Sequence, residues 1–235
     1  MYEPVVETFD MAINPYRFQD RSDAGQQLAH YLVRYAYCPD IVVLALPRGG
    51  VPVAFEVACT LHAPLDLLLV RKLGVPGHQE LAMGAVASGG ICVLNEEVIA
   101  DFGIPKWLLN SVVDREWQEL QRRERTYAVQ RSTLVLQGKT IILVDDGLAT
   151  GMTMQAACRV VRQQDPARVI VAVPVVSYDS CALLAEDVDE FIWIIAPEPL
   201  YAIGLWYEDF TQTTDAEVRA LLAQMNSTMP QLSPD

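Results

Sequence analysis

The chain has 235 residues and a mass of 26.1 kDa, enough to bury one generous α/β core. Hydrophobic residues make up 51% and charged residues 20%, a globular composition that excludes a chain disordered throughout. The net charge is −13, from 17 basic and 30 acidic residues, which disfavours binding to a nucleic-acid backbone.

The charge is uneven. From Asp179 to Asp235 there are 11 acids and one base, Arg219, whereas residues 1–178 carry a net of only −3. An anionic ligand must therefore be held locally, by a few arginines, backbone N–H groups or a metal ion. The longest apolar runs, such as Val169 to Val176, are far shorter than the ~20 residues a membrane-spanning helix needs. The start, Met1-Tyr2-Glu3-Pro4, has neither a basic nor an apolar leader region, so a cytoplasmic protein is expected. The five cysteines and three histidines are scattered and form no CxxC pair or metal-ligand cluster.

In chain order, residues to about Pro15 read as an extended arm. Ser22 to Tyr37 reads as a helix capped by Ser22 or Asp23, with Leu28, Leu32 and Tyr35 on one face. Ile41 to Leu46 is a continuous apolar strand closed by Pro47-Arg48-Gly49-Gly50, and a helix follows to about Leu61. Asp66 to Val70 is a second such strand, ending in Arg71-Lys72. Residues 73–90 are glycine-rich and lack a helical period, which predicts a long loop leading to short strands near Ala85-Val86 and Ile91 to Leu94. Pro105 to Tyr127 predicts a long amphipathic helix, with Leu109, Val113, Trp117 and Leu120 along one stripe. Thr140 to Val144 is a third buried strand. A helix from Met152 to Gln164, strands at Val169–Val173 and Phe191–Ile195, and a helix from Thr214 to Met225 complete the pattern.

Apolar strands that do not alternate, separated by helices, predict a doubly wound α/β fold with a mainly parallel five-stranded sheet and helices on both faces. Ligands in such sheets sit at the carboxyl ends of the strands. Three of those ends carry chemistry. In the loop from Asp145 to Thr153, small residues let the backbone curl just before a helix, a cradle for phosphate. Thr150 and Thr153 add hydroxyls. Asp145 and Asp146 suit vicinal hydroxyls or water ordered around magnesium. Sugar hydroxyls beside a phosphate describe a ribose 5-phosphate. A Walker loop is excluded because Met152, not lysine, follows Gly151, and GxGxxG is absent from this loop. Gly49-Gly50 allows an anion close to the backbone, and Arg48 offers a fork for phosphate oxygens.

The segment Ile141 to Thr153 closely resembles the phosphoribosyl-pyrophosphate (PRPP) motif of type I phosphoribosyltransferases. Leu46 to Pro52 sits where that family has its pyrophosphate loop, Val70-Arg71-Lys72 matches the basic end of the next strand, and residues 73–87 fall where it has a mobile catalytic loop. From Phe18 to Leu222 the chain is similar to the stand-alone, broadly annotated members. The resemblance implies one domain over residues 1–235, with an arm to about 17, a loop, flap and long-helix insertion at about 73–130, and a hood and tail at about 196–235. It implies Asp145 and Asp146 on the ribose hydroxyls and Gly147, Leu148, Ala149, Thr150, Gly151, Met152 and Thr153 around the 5-phosphate. Arg48, Gly49, Gly50, Arg71 and Lys72 would meet pyrophosphate, with Arg48 and Lys72 stabilising it as it leaves.

Ala149 stands where the 6-oxopurine enzymes carry an aspartate that handles the base proton. Glu80, the sole carboxylate between Asp66 and Glu96, is the candidate proton acceptor in its place. Trp206 and Tyr207 are the candidates for stacking on the acceptor. Arg122, Arg123 and Arg125 read as a solvated face paired with Glu119 and Glu124, with a second phosphate site as the alternative.

The expected activity is magnesium-dependent transfer of phosphoribose from PRPP to a nitrogen acceptor, such as a nucleobase, by a homodimer. Magnesium would be held through PRPP, with no direct protein ligand beyond water-mediated contact to Asp145 and Asp146. The competing reading is a PRPP-sensing regulatory or interaction domain without transferase chemistry.

Overall fold

A computed structural model of the chain describes residues 16–127 and 135–228, the side chains of residues 79 and 80 excepted. The predicted N-terminal arm to Pro15 lies outside the described residues.

Helix α1 (Arg21–Leu32) is shorter than expected and passes into a 3-10 turn at Val33–Tyr35. Its cap is Asp20, whose carboxylate accepts the Asp23 N–H at 2.8 Å, not Ser22 or Asp23. Strand β1 (Ile41–Ala45), helix α2 (Gly50–Leu61) and the short strand β2 (Leu65–Leu67) follow.

The next segment corrects the expectation of a long loop. Residues 70–94 form three antiparallel strands: β3 (Val70–Val75), β4 (His78–Ala87) and β5 (Ile91–Leu94). The tight turn at Pro76-Gly77 is permitted by Gly77 at φ +83°. The glycines that obscured the pattern serve this hairpin: a Cβ at Gly84 would overlap the Val93 carbonyl on the neighbouring strand.

A short helix α3 (Glu96–Asp101), which no periodicity announced, is capped by the Asn95 side chain. The long helix α4 (Lys106–Thr126) runs as expected. Strand β6 (Thr140–Val144), helix α5 (Met152–Arg162) and strand β7 (Arg168–Val175) fall close to their predicted bounds. A second unannounced helix, α6 (Tyr178–Leu184), is capped by Ser177. Strand β8 (Glu190–Ile195) precedes α7 (Asp215–Thr228). Thr214 and Glu217 exchange side-chain to backbone bonds, a reciprocal capping box at the start of α7.

The main sheet is parallel throughout, in the order β2-β1-β6-β7-β8. Its central strands β1, β6 and β7 are buried on both faces, which is why they read as unbroken apolar runs. Ile41, Val43, Ala45, Ile142, Val144 and Ile170 point to one core, shared with α1, α2 and α7. Val42, Leu44, Ile141, Leu143, Val169 and Val171 point to the other, shared with α5 and α6. The small sheet packs between α5 and α4, with Leu73, Val75, Met83, Val86 and Val112 at its centre. The chain winds outward in opposite directions from β1 and β6, and these are neighbours. Their carboxyl ends therefore open a crevice at the reversal point.

Candidate active site

Both strand ends at this crevice carry the residues singled out by sequence. After β1 the chain turns through Pro47-Arg48-Gly49, with a cis Pro47–Arg48 peptide bond. The turn lies directly against the end of β6. A Cβ at Gly49 would overlap the Asp146 carboxylate, and one at Gly50 would lie 2.7 Å from the Val144 carbonyl. Gly50 is thus required by close approach of backbone to backbone, and Gly49 makes room for the Asp146 side chain, independently of any ligand.

Asp145 and Asp146 end β6 side by side. The Asp146 amide donates to Asp145 Oδ1 at 2.8 Å. Asp146 also accepts from Arg21 Nε at 2.7 Å. Burial pushes the Asp145 carboxyl well above the usual carboxylate range, and the adjacent Asp146 charge pushes it further. Asp146 is raised too, because burial outweighs the lowering effect of Arg21. Both residues are half-buried, and Asp146 lines the crevice.

The loop after them is braced from β7. Leu148 N donates to the Val175 carbonyl at 2.9 Å, Ser177 N donates to the Leu148 carbonyl at 2.9 Å, and the Ser177 hydroxyl donates to the Ala149 carbonyl at 2.7 Å. Leu148 is buried and its amide is engaged, so it shapes the loop from inside. Ala149, Thr150 and Thr153 are exposed. Gly151 caps α5 in the left-handed region at φ +67°. The first-turn amides of α5, from Met152 on, have no partner within the helix and form the opening of the cradle.

A cleft of about 610 Å³ lies over Asp146 and the Arg48 turn. Arg21, Arg48, Arg122 and Arg123 line it, with Thr126 and Tyr127 of α4 and Phe210, Gln212, Thr213 and Asp215 opposite. Arg48 lies 3.7 Å from Asp215 Oδ1, which also accepts the Tyr127 hydroxyl at 3.0 Å.

Other predicted residues are placed differently. Arg71 on β3 gives Nε and Nη2 to Glu116 Oε2 of α4, at 2.9 and 2.6 Å, and its exposed edge lines a narrow pocket with Pro47, Arg123 and Thr153. Lys72 stands beside Ala85 in the small sheet and lines neither cavity. Glu80 falls within β4, and its side chain lies outside the described residues.

The stacking role expected of Trp206 and Tyr207 is not available to them in this structure. They are 2% and 3% exposed, packed with Phe18, Val175 and Ile195. The Tyr207 hydroxyl instead donates to the Asp146 carbonyl at 2.7 Å, holding the acidic turn from behind. An aromatic-rich turn beside a strand end fills a core before it offers a ring to a ligand.

Arg21 was not anticipated. It joins three elements: Nε to Asp146, Nη1 to the Thr211 carbonyl at 2.7 Å, and the guanidinium 3.9 Å from the centre of the Phe210 ring. The sequence, read with the helix starting at Ser22, holds no signal for it; only the observed start of α1 at Arg21 places a cation in the first turn, where the helix dipole disfavours positive charge.

Residues 77–202 match the phosphoribosyl transferase domain family. The chain belongs to that family. Within it, two Mycobacterium tuberculosis proteins (strains CDC 1551 and H37Rv), provisionally named phosphoribosyl transferases, are 45% identical over 205 residues, 87% of this chain. The chain spans only 46% of their length. The crystal structure of TT1426 from Thermus thermophilus is 41% identical, covers 89% of this chain and 99% of its own, and superposes with a TM-score of 0.82. Asp145, Asp146 and the cradle fall inside the stretch matched by the phosphoribosyl transferase domain. Arg48 to Gly50 and Arg71-Lys72 precede it. No helix among the described residues is long and apolar enough to cross a membrane.

Proposed function

We propose that the chain transfers the 5-phosphoribosyl group of PRPP to a nitrogen acceptor, a nucleobase or similar heterocycle, and releases pyrophosphate. The observation that carries this reading is the juxtaposition at the β1/β6 crevice. Two adjacent carboxylates stand beside a helix-terminal phosphate cradle and face an arginine on a turn pressed against them.

In this reading Asp145 and Asp146 accept hydrogen bonds from the ribose hydroxyls. The cradle from Gly147 to Thr153 holds the 5-phosphate. Arg48 and the Gly49-Gly50 backbone meet the pyrophosphate, with Arg71 adding charge from the narrow pocket beside it, while Lys72, also expected there, lines neither cavity. The C1–O bond breaks, pyrophosphate takes the electron pair, and the acceptor nitrogen forms the new bond at C1. Its proton passes to Glu80 or to solvent. Preorganised cations at the leaving oxygens supply electrostatic stabilisation where charge develops.

Among the described residues no three His, Cys, Asp or Glu side chains converge to hold a metal. Two adjacent carboxylates at the crevice do fit magnesium bound chiefly through substrate oxygens and water. Bound there, it would neutralise charge on the departing pyrophosphate. The five cysteines are all free thiols, which supports a reducing, cytoplasmic setting. The same reading takes the chain as one domain and a homodimer acting on small molecules.

The test is a panel of heterocyclic bases and amines incubated with PRPP and magnesium and scored by pyrophosphate release. Release that depends on one acceptor is expected. PRPP binding without release from any acceptor would favour the sensing domain over the transferase.

A further inference from the structure

Four arginines line the cleft of a chain whose net charge is −13. Their counter-charges are uneven. Arg21 is paired with Asp146, and Arg48 lies near Asp215. Arg122 and Arg123 share one carboxylate, Glu119: Arg122 Nε and Nη2 reach it at 2.8 and 2.9 Å, and Arg123 Nε at 3.1 Å. Asp215 acts on Arg122 as well as on Arg48, so three cations, Arg48, Arg122 and Arg123, meet two carboxylates, Glu119 and Asp215, and an excess positive charge remains where the end of α4 faces the cleft. The expectation of a solvated, self-paired face accounts for Glu119 but not for this placement. Arg123 also lines the narrow pocket formed by Pro47, Arg71 and Thr153. It therefore stands between the two cavities, with the Arg48 turn on one side and the Arg71 strand end on the other.

Resting on the phosphoribosyl-transfer reading, we propose that Arg123, assisted by Arg122, completes the pyrophosphate site from α4, and that Glu119 is an internal competitor that the pyrophosphate anion displaces. Glu119 is held down to about 2 by its two arginine hydrogen bonds, so it is ionised and competing throughout the neutral range. Arg123 carries more of the effect than Arg122, whose side chain is 65% exposed against 36%. The other explanation for cations here is stabilisation of the helix C-terminus. Arg125 serves as the control for it, because it lies in the same last turn and lines neither cavity.

The experiment is calorimetric titration of the full chain with inorganic pyrophosphate plus magnesium, and separately with ribose 5-phosphate. Arg123→Gln should weaken pyrophosphate binding about tenfold and Arg122→Gln about threefold, with ribose 5-phosphate unchanged. Arg125→Gln should change neither. Glu119→Gln should tighten pyrophosphate about threefold, a gain that a purely structural role cannot produce. Parent-like pyrophosphate affinity in the Arg122→Gln/Arg123→Gln double variant overturns the proposal, as does an equal loss in Arg125→Gln or for ribose 5-phosphate. If Arg123→Gln does not fold, Arg122→Gln and Glu119→Gln decide. A parent protein that binds ribose 5-phosphate but not pyrophosphate sinks this inference alone. One that binds neither sinks the phosphoribosyl reading beneath it.

Discussion

The two sheets position site residues by different physical means. At the crevice, Asp145, Asp146 and Arg48 extend from strands whose side chains are almost entirely removed from water: Val43, Ala45, Ile142, Leu143 and Val144 are all 0% exposed. The Asp146 carboxylate is then pinned by Arg21, and its carbonyl by Tyr207. The small sheet has its own, smaller core, and an ion pair, Arg71–Glu116, ties it to α4. A preorganised binding surface needs the first arrangement. The small sheet relies instead on a smaller core and on one tie to its neighbouring helix, so its stability should be more local.

The largest expected effect separates the two regions by chemistry. Asp145→Asn with Asp146→Asn removes two charged acceptors. PRPP affinity, followed by the ligand-induced rise in Tm with magnesium, should fall roughly a thousandfold. Retained binding would show that the crevice does not hold the ribose.

Next comes stability. Ile142 and Met83 are both fully buried, one in each sheet. Truncating either to Ala should cost ~2–5 kcal/mol locally. Ile142→Ala should lower the global Tm. Met83→Ala should chiefly speed hydrogen exchange in residues 70–94. Equal global losses from both would erase the distinction drawn between the sheets.

Smaller again is the tie to α4. Glu116 is 7% exposed. Arg71→Ala leaves it buried without its closest cation, at a cost of ~1–3 kcal/mol. Exchange in the small sheet should rise, and turnover should suffer more than ribose 5-phosphate affinity.

The smallest effect is one of pH. Both crevice carboxyls are raised from an ordinary value of 3.8, so their protonated forms favour the folded state. Ligand-free protein should gain stability from these groups as pH falls from neutral through the raised values, and the gain should be complete below about 4. Asp145→Asn should raise the Tm at pH 7 and flatten this dependence. A Tm that only declines on acidification, in parent and variant alike, would contradict the assigned burial of Asp145.

Much of the core is legible in the sequence. Ile41 to Leu46 and Thr140 to Val144 are unbroken apolar runs because both faces of the sheet are covered, and the acids and small residues at Asp145 to Thr153 mark the loop between β6 and α5 as the candidate site. The small sheet was not legible. Residues 70–94 are only partly buried and interrupted by Gly74, Gly77 and Gly84, so neither a period of two nor a continuous apolar run survives. Helices α3 and α6 are too short to show a period.

The chain by itself determined the five strands of the main sheet, helices α1, α2, α4, α5 and α7, and the paired acids and small-residue loop after β6, because these depend on local composition and on one strong pattern of burial. Beyond Arg48, which the sequence already marked, tertiary structure decided which cations and aromatics reach the crevice. Arg21 reaches Asp146 across 125 positions of sequence, Tyr207 reaches it across 61, and Arg71 finds Glu116 across 45. Such pairings leave no local periodicity. They arise when the packed sheet brings distant strand ends and helix termini within hydrogen-bond reach, where a buried charge must find a partner.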